Sequence, residues 1–204
     1  MAHFLTRITS PETTFERIMQ DISQLGTELI DLDQYCELVL KRISERYEAH
    51  SAGLFLKQKA AQRYHLSARI NLAIGDMQFG LHHPLPTYLD QYPRPLYAAL
   101  IEIAPQFEAL WEKEREELAR LGAFLYLPLK AGKDLVGILS LGPKANRGSY
   151  QKDEPELMTL ANQVAMAIRL KYLITSELRL QEEAGSMRQA LSEMRGLILP
   201  IMAA

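Results

Sequence analysis

From Phe15 onward, apolar residues recur at steps of three and four. Phe15, Ile18, Ile22, Leu25 and Leu29 share one helical face, with Pro11 near the start, where a missing N–H costs nothing. Gly26 and the Asp31-Leu32-Asp33 cluster predict the end of this helix and the N-cap of a second. The second carries Tyr35, Leu38, Val39, Arg42, Ile43 and Arg46 and ends near His50. The period then drops to two. Ser51 to Lys57 is short and apolar, and in Arg63 to Ile70 the residues Tyr64, Leu66, Ala68 and Ile70 alternate with His65, Ser67 and Arg69. A short polar link joins the two runs, which predicts a β-hairpin.

Asn71 to Pro95 holds four of the ten prolines and is irregular apart from a predicted short helix at Pro86 to Tyr92. Pro105 to Arg120 is predicted as one helix, with Phe107, Leu110, Trp111, Leu118 and the adjoining Leu121 on its apolar face. Ala123 to Leu129 and Leu135 to Leu141 are predicted strands, and the turn sequence Lys130 to Asp134 pairs them antiparallel. After a loop at Gly142 to Ser149, Asp153 is the predicted N-cap of a long helix, with Glu156 completing a capping box and Pro155 in the first turn. Helices at the ends and hairpins between them predict an α+β fold. Its central antiparallel β-sheet would carry the N- and C-terminal helices on one face, and a long coiled-coil-like helix would end the chain.

Composition narrows the function classes. The 204 residues suit one domain with helical extensions, and 48% hydrophobic against 24% charged residues is the balance of a soluble globular protein. Lys plus Arg total 23 and Asp plus Glu total 25, so there is no basic field for nucleic acid or an anionic membrane. Cys36 is the single cysteine. It cannot form an intramolecular disulfide or a multi-cysteine zinc site, which fits a reducing cytoplasm. The opening MAHFLTRITS lacks the apolar core of a signal peptide, and the uncharged tail is far shorter than a membrane span.

The run Leu127 to Ile168, LPLKAGKDLVGILSLGPKANRGSYQKDEPELMTLANQVAMAI, resembles the end of a GAF domain. In that family a strand ends in Pro-Leu, a turn follows, the next strand carries a glycine in its interior, and a loop with an aromatic residue precedes a capped helix. The hairpin Ala52 to Ile70 and the segment PLPTYLDQYPRPL look like the family's first two strands and its ligand-side connection. The resemblance implies a small-molecule sensor or dimerisation module over residues 32–173. An amphipathic helix at 1–31 would precede it, and a coiled-coil signalling helix at 174–204 would follow. Its implied partners are a small-molecule ligand and an output domain or protein acting in trans. Cyclic-nucleotide binders of the family carry Asn-Lys and then Phe, three residues and Asp-Glu. Here Asn146 is followed by Arg147, Tyr150 replaces Phe, and two residues precede Asp153-Glu154. Covalent bilin attachment needs a centrally placed cysteine, and sulfoxide reduction needs several; Cys36 supplies neither.

No catalytic constellation emerges, so an enzyme is not expected. His82-His83 is a suggestive imidazole pair, yet no carboxylate or thiol cluster converges on it in sequence, and no metal site is expected. Ser149-Tyr-Gln-Lys152 and Gly132-Lys133 lack the companion residues of the motifs they echo. The candidate ligand site is a pocket over the open sheet face lined by Phe79, His82, Tyr88, Arg94, Trp111 and Tyr126, with His82 or Arg94 as the polar anchor. The residues specify no cofactor. The alternative is a ligand-free dimerisation scaffold whose side chains fill that space.

Beyond the domain, Leu170, Leu173, Glu177, Leu180, Ala184, Met187, Leu191, Met194 and Ile198 alternate steps of three and four. Eight of the nine are apolar, the a/d seam of a coiled coil, which predicts a homodimer. Glu183 at g and Arg188 at the following e would attract across a parallel pair. Gly185 and Gly196 cost roughly 1 kcal/mol each, so partner contact must support the helix, and Pro200 stops it.

Overall fold

The computed structural model describes residues 11–28, 31–108 and 110–202, with side chains described for 15–28, 31–108 and 110–189. Helix α1 runs Pro11–Thr27 and α2 runs Leu32–Arg46. The expected cap is present: the Asp31 carboxylate accepts from the Gln34 N–H at 2.7 Å. Leu29 lies outside the described residues. Strands β1 (Ala52–Gln58) and β2 (Arg63–Ile70) form the predicted hairpin, followed by β3 (Gln78–Gly80) and α3 (Pro84–Gln91). Then come β4 (Leu96–Tyr97), α4 (Ala98–Ile103), α5 (Glu112–Leu121), β5 (Leu125–Ala131), β6 (Asp134–Leu141) and α6 (Glu154–Met202). The six strands form one sheet in the order β3-β2-β1-β6-β5-β4, every pair antiparallel. The chain divides into two compact units, Met1–Arg169 and Leu170–Ala204.

Each sheet face is covered by its own apolar cluster. On one, Ile22, Tyr35, Val39 and Ile43 of the first two helices meet Leu54, Leu127 and Leu139 of the strands and Leu157, Leu160, Val164 and Ile168 of α6. On the other, Phe55, Tyr126 and Ile138 meet Phe79, Leu85, Tyr88, Phe107 and Leu118 from the middle of the chain. Close approach holds the helices to one another and the strands to one another. A Cβ on Gly26 would stand 3.1 Å from the Ala167 Cβ, and one on Gly137 would stand 2.6 Å from the Phe55 carbonyl oxygen. Gly137 is therefore required by a neighbouring backbone, as a glycine in a strand interior often is.

Several expectations change. The alternating residues of β2 do not share a face: Leu54 pairs with Ala68 and Phe55 with Leu66, so Ser67 is a bulge residue. Tyr64 and Leu66 therefore serve the second cluster while Ala68 and Ile70 serve the first. The predicted helix 105–120 is a 3-10 turn, Pro105–Phe107, followed by α5 from Glu112. Trp111 precedes α5 and is 77% exposed, not part of an apolar face. The cause is local: the Glu114 carboxylate accepts the Trp111 N–H at 2.9 Å, which starts a new helix there. The short helix begins two residues earlier than expected, because His83 caps it and Pro84 takes its first position. The turn between β5 and β6 narrows to Gly132 and Lys133, with Gly132 at φ 69°.

Candidate functional site

The six residues proposed from sequence for the ligand pocket do not form one lining. Phe79, Tyr88 and Tyr126 are buried on the second sheet face as expected, but the space between the aromatics is filled. Phe79 packs on Phe55 at 4.8 Å between ring centroids and on His83 at 5.0 Å, and Tyr88 packs on Phe107 at 5.2 Å. His82, Arg94 and Trp111 are exposed. Arg94 donates to the Tyr88 hydroxyl at 3.2 Å, so it covers the cluster edge rather than anchoring a ligand inside it.

His83, not His82, is the structurally engaged imidazole. Its Nδ1 accepts the Leu85 N–H at 3.1 Å, capping α3, and its Nε2 stands 3.9 Å from the Glu114 carboxylate. Burial pushes its pKa below the ordinary 6.5, against the opposing pull of Glu114 and Glu117. Among the described residues no group of three or more His, Cys, Asp or Glu side chains is placed to hold a metal ion.

Open space on this face lies further along. A cleft of about 540 Å³ is walled by Ala98 and Ile101 of α4, by Arg115, Leu118 and Ala119 of α5, and by Tyr126 of β5. Its location follows from the elements. Gly122 ends α5 at φ 60°, its N–H bonding the carbonyls of Ala119 and Leu118, and the chain then turns directly into β5. The walls are mostly apolar with small side chains, and Glu102, Arg115 and Glu116 supply charge. The Arg115 guanidinium donates to the Phe107 carbonyl at 3.0 Å and to the Leu110 carbonyl at 3.4 Å, which ties α5 to the turn before it. Burial raises the Tyr126 phenol far above its usual range, so it stays a neutral donor. Of the residues expected from sequence, Tyr126 alone lines this cleft. The small residues Ala98, Ala119 and Ala123 carried no signal, because space left by an alanine depends on what stands opposite.

Residues that echo the cyclic-nucleotide motif serve the structure. The Tyr150 hydroxyl is buried and donates to the Gly142 carbonyl at 2.9 Å, Asp153 pairs with the Lys144 ammonium, and Asn146 donates to Glu48 at 2.8 Å. The Asp153 carbonyl accepts the Leu157 N–H at 2.8 Å, while the Glu156 carboxylate receives the Tyr47 hydroxyl at 3.2 Å.

Along α6, Leu170, Leu173, Leu180 and Met187 are 47, 58, 60 and 64% exposed, so an apolar stripe stands open to water. The side chains of Leu191, Met194 and Ile198 lie outside the described residues. No helix among the described residues is long and apolar enough to cross a membrane.

No protein-family model matches the sequence, and no curated protein matches it. Solved structures do. The GAF domain of a phosphoenolpyruvate-protein phosphotransferase from Coxiella burnetii superposes with a TM-score of 0.63 at 21% identity, covering 82% of this chain and 99% of its own. That of the Acinetobacter phosphoenolpyruvate-protein phosphotransferase reaches 0.60 at 18% identity over 80% and 95% of the two chains. The phycoerythrobilin-bound GAF domain of a cyanobacterial phytochrome reaches 0.59 at 12% identity over 80% and 99%. These superpositions identify the fold as that of GAF domains.

Proposed function

We propose that this chain is the sensory GAF domain of a signalling protein: it binds a small molecule in the cleft beside Tyr126, pairs with a second copy through α6 and passes its state to an output partner. The observation that carries this reading is the combination of an apolar-walled cleft with one buried neutral phenol on its wall. Such a site suits a small, largely apolar molecule that carries a hydrogen-bond acceptor for Tyr126 and a group complementary to the charges of Arg115, Glu102 and Glu116. Its volume lies within the range of small-molecule pockets. Binding would act by population shift, favouring whichever arrangement of the paired helices leaves the cleft best fitted to its occupant. The role is recognition, not turnover, in the cytoplasm, where Cys36 stays a buried thiol.

Native mass spectrometry of the full chain, purified from its own host, tests both halves. The expected result is a dimer carrying a small adduct, with the adduct lost in Ala119→Trp, whose indole fills the cleft. A dimer with no adduct would favour the ligand-free scaffold, for which the packed Phe55–Phe79–His83 cluster speaks. A monomer without adduct sinks the proposal.

A further inference from the structure

Four side chains from three parts of the chain hold the head of α6. Lys144 meets Asp153 just before it, Tyr47 and Arg46 at the end of α2 meet Glu156, and the Tyr97 hydroxyl donates to Glu154, the first residue of α6. Only the last of these reaches toward the cleft. Tyr97 stands between Leu96, which packs in the second cluster, and Ala98, which lines the cleft. Strand alternation turns Tyr97 to the opposite face, where it packs with the first cluster. One residue thus crosses from the cleft side of the sheet to the side of α6.

A second path runs beside it. Ala123 lines the cleft, and its neighbour Phe124 meets the Tyr97 ring edge-on at 5.7 Å and the Tyr150 ring at 6.1 Å. The Phe124 carbonyl accepts the Ala98 N–H at 3.0 Å, so the two cleft walls are bonded together where Tyr97 and Phe124 leave them. Coupling between sites needs an element whose position both sites bias. Strand β4 has that character: it pairs with β5 through Leu96 and Tyr97 alone, a short edge that shifts at small cost.

We infer that Tyr97 is the positioning residue that couples occupancy of the cleft to the head of α6, through its bond to Glu154 and its ring contact with Phe124. An occupant pressing on Ala98 and Ala123 moves β4, and the bond carries that displacement to the first turn of the helix. The inference rests on the reading of the cleft as a ligand site.

Tethering separates the two. In full-length Ala119→Cys, benzyl methanethiosulfonate attaches a benzylthio group inside the cleft whether or not a metabolite ever binds there. Cys36 is buried, so the unmodified parent serves as the labelling control. Hydrogen exchange over residues 154–160 is the readout. Labelling is expected to change protection there by about tenfold, the size of one hydrogen bond to a charged acceptor, and by under about twofold once Tyr97→Phe is added. Glu154→Ala deletes the same bond from the other side and is expected to match, which covers a Tyr97 variant that fails to fold. A change that persists in the bond-deleted proteins, or no change on labelling Ala119→Cys, overturns the inference. A missing adduct in native mass spectrometry would instead count against the cleft as a ligand site and leave the tethering result standing.

Discussion

His83 joins three levels of description in one ring. Its Nδ1 accepts the Leu85 N–H only while unprotonated, its face packs on Phe79, and its Nε2 looks toward Glu114. Burial holds the folded pKa below the unfolded value of 6.5. As pH falls through 6.5 the unfolded chain therefore takes up a proton that the folded chain resists, and stability declines below that point. Replacing His83 with Asn keeps a capping acceptor and removes the titration. The urea midpoint of His83→Asn should therefore fall less between pH 7 and pH 5 than that of the parent; an equal or steeper fall would contradict this role. Sequence pointed to the histidine pair and favoured His82, which is exposed, while His83 is buried, since burial of one neighbour and exposure of the other is a property of packing. Trp111 failed for a related reason. Its spacing fits a helical stripe, yet the Glu114 bond restarts the helix at that point.

Elements were more legible than residues. Short apolar runs around turn sequences, the alternation in Arg63 to Ile70 and the helical stripes of α1, α2 and α6 predicted the sheet and its cover. The short pieces β3, β4 and α4 went unseen, because elements of two to six residues carry no measurable period. The bulge at Ser67 was also invisible, since an extra residue is defined only against a partner strand. It nevertheless decides which face each half of β2 serves. Deleting Ser67 makes Leu66 and Ala68 consecutive in a continuous ladder, with Leu66 still opposite Phe55 and Ala68 still opposite Leu54, each on the face it now serves. The expected result is that the deletion variant keeps a cooperative unfolding transition by calorimetry. Ser67→Ala should cost only about 1 kcal/mol or less, the worth of its exposed bond to Asp33 at 3.1 Å. Loss of the cooperative transition in the deletion variant would show that the ladder does not close without the bulge.

At the scale of the whole molecule, the exposed stripe on α6 connects the fold to its proposed assembly. Leu173 and Leu180 lie on the seam and are more than half exposed. Burying each in a pair would return about 1.5–3 kcal/mol. Leu173→Lys with Leu180→Lys should thus weaken self-association by about a hundredfold or more, with the folded domain intact by circular dichroism. Sedimentation equilibrium checks this; unchanged association would place the dimer contact elsewhere.

Periodicity and composition, properties of single positions and their spacing, were enough to settle the fold class, the order of the main helices and strands and the apolar stripe of α6. Tertiary structure alone decided that the aromatics of the middle segment fill their own space, that a cleft opens beside Tyr126, and that Tyr97 crosses the sheet to Glu154. Voids, bulges and cross-sheet bonds are relations between residues far apart in the chain. They come into being only when the chain has folded.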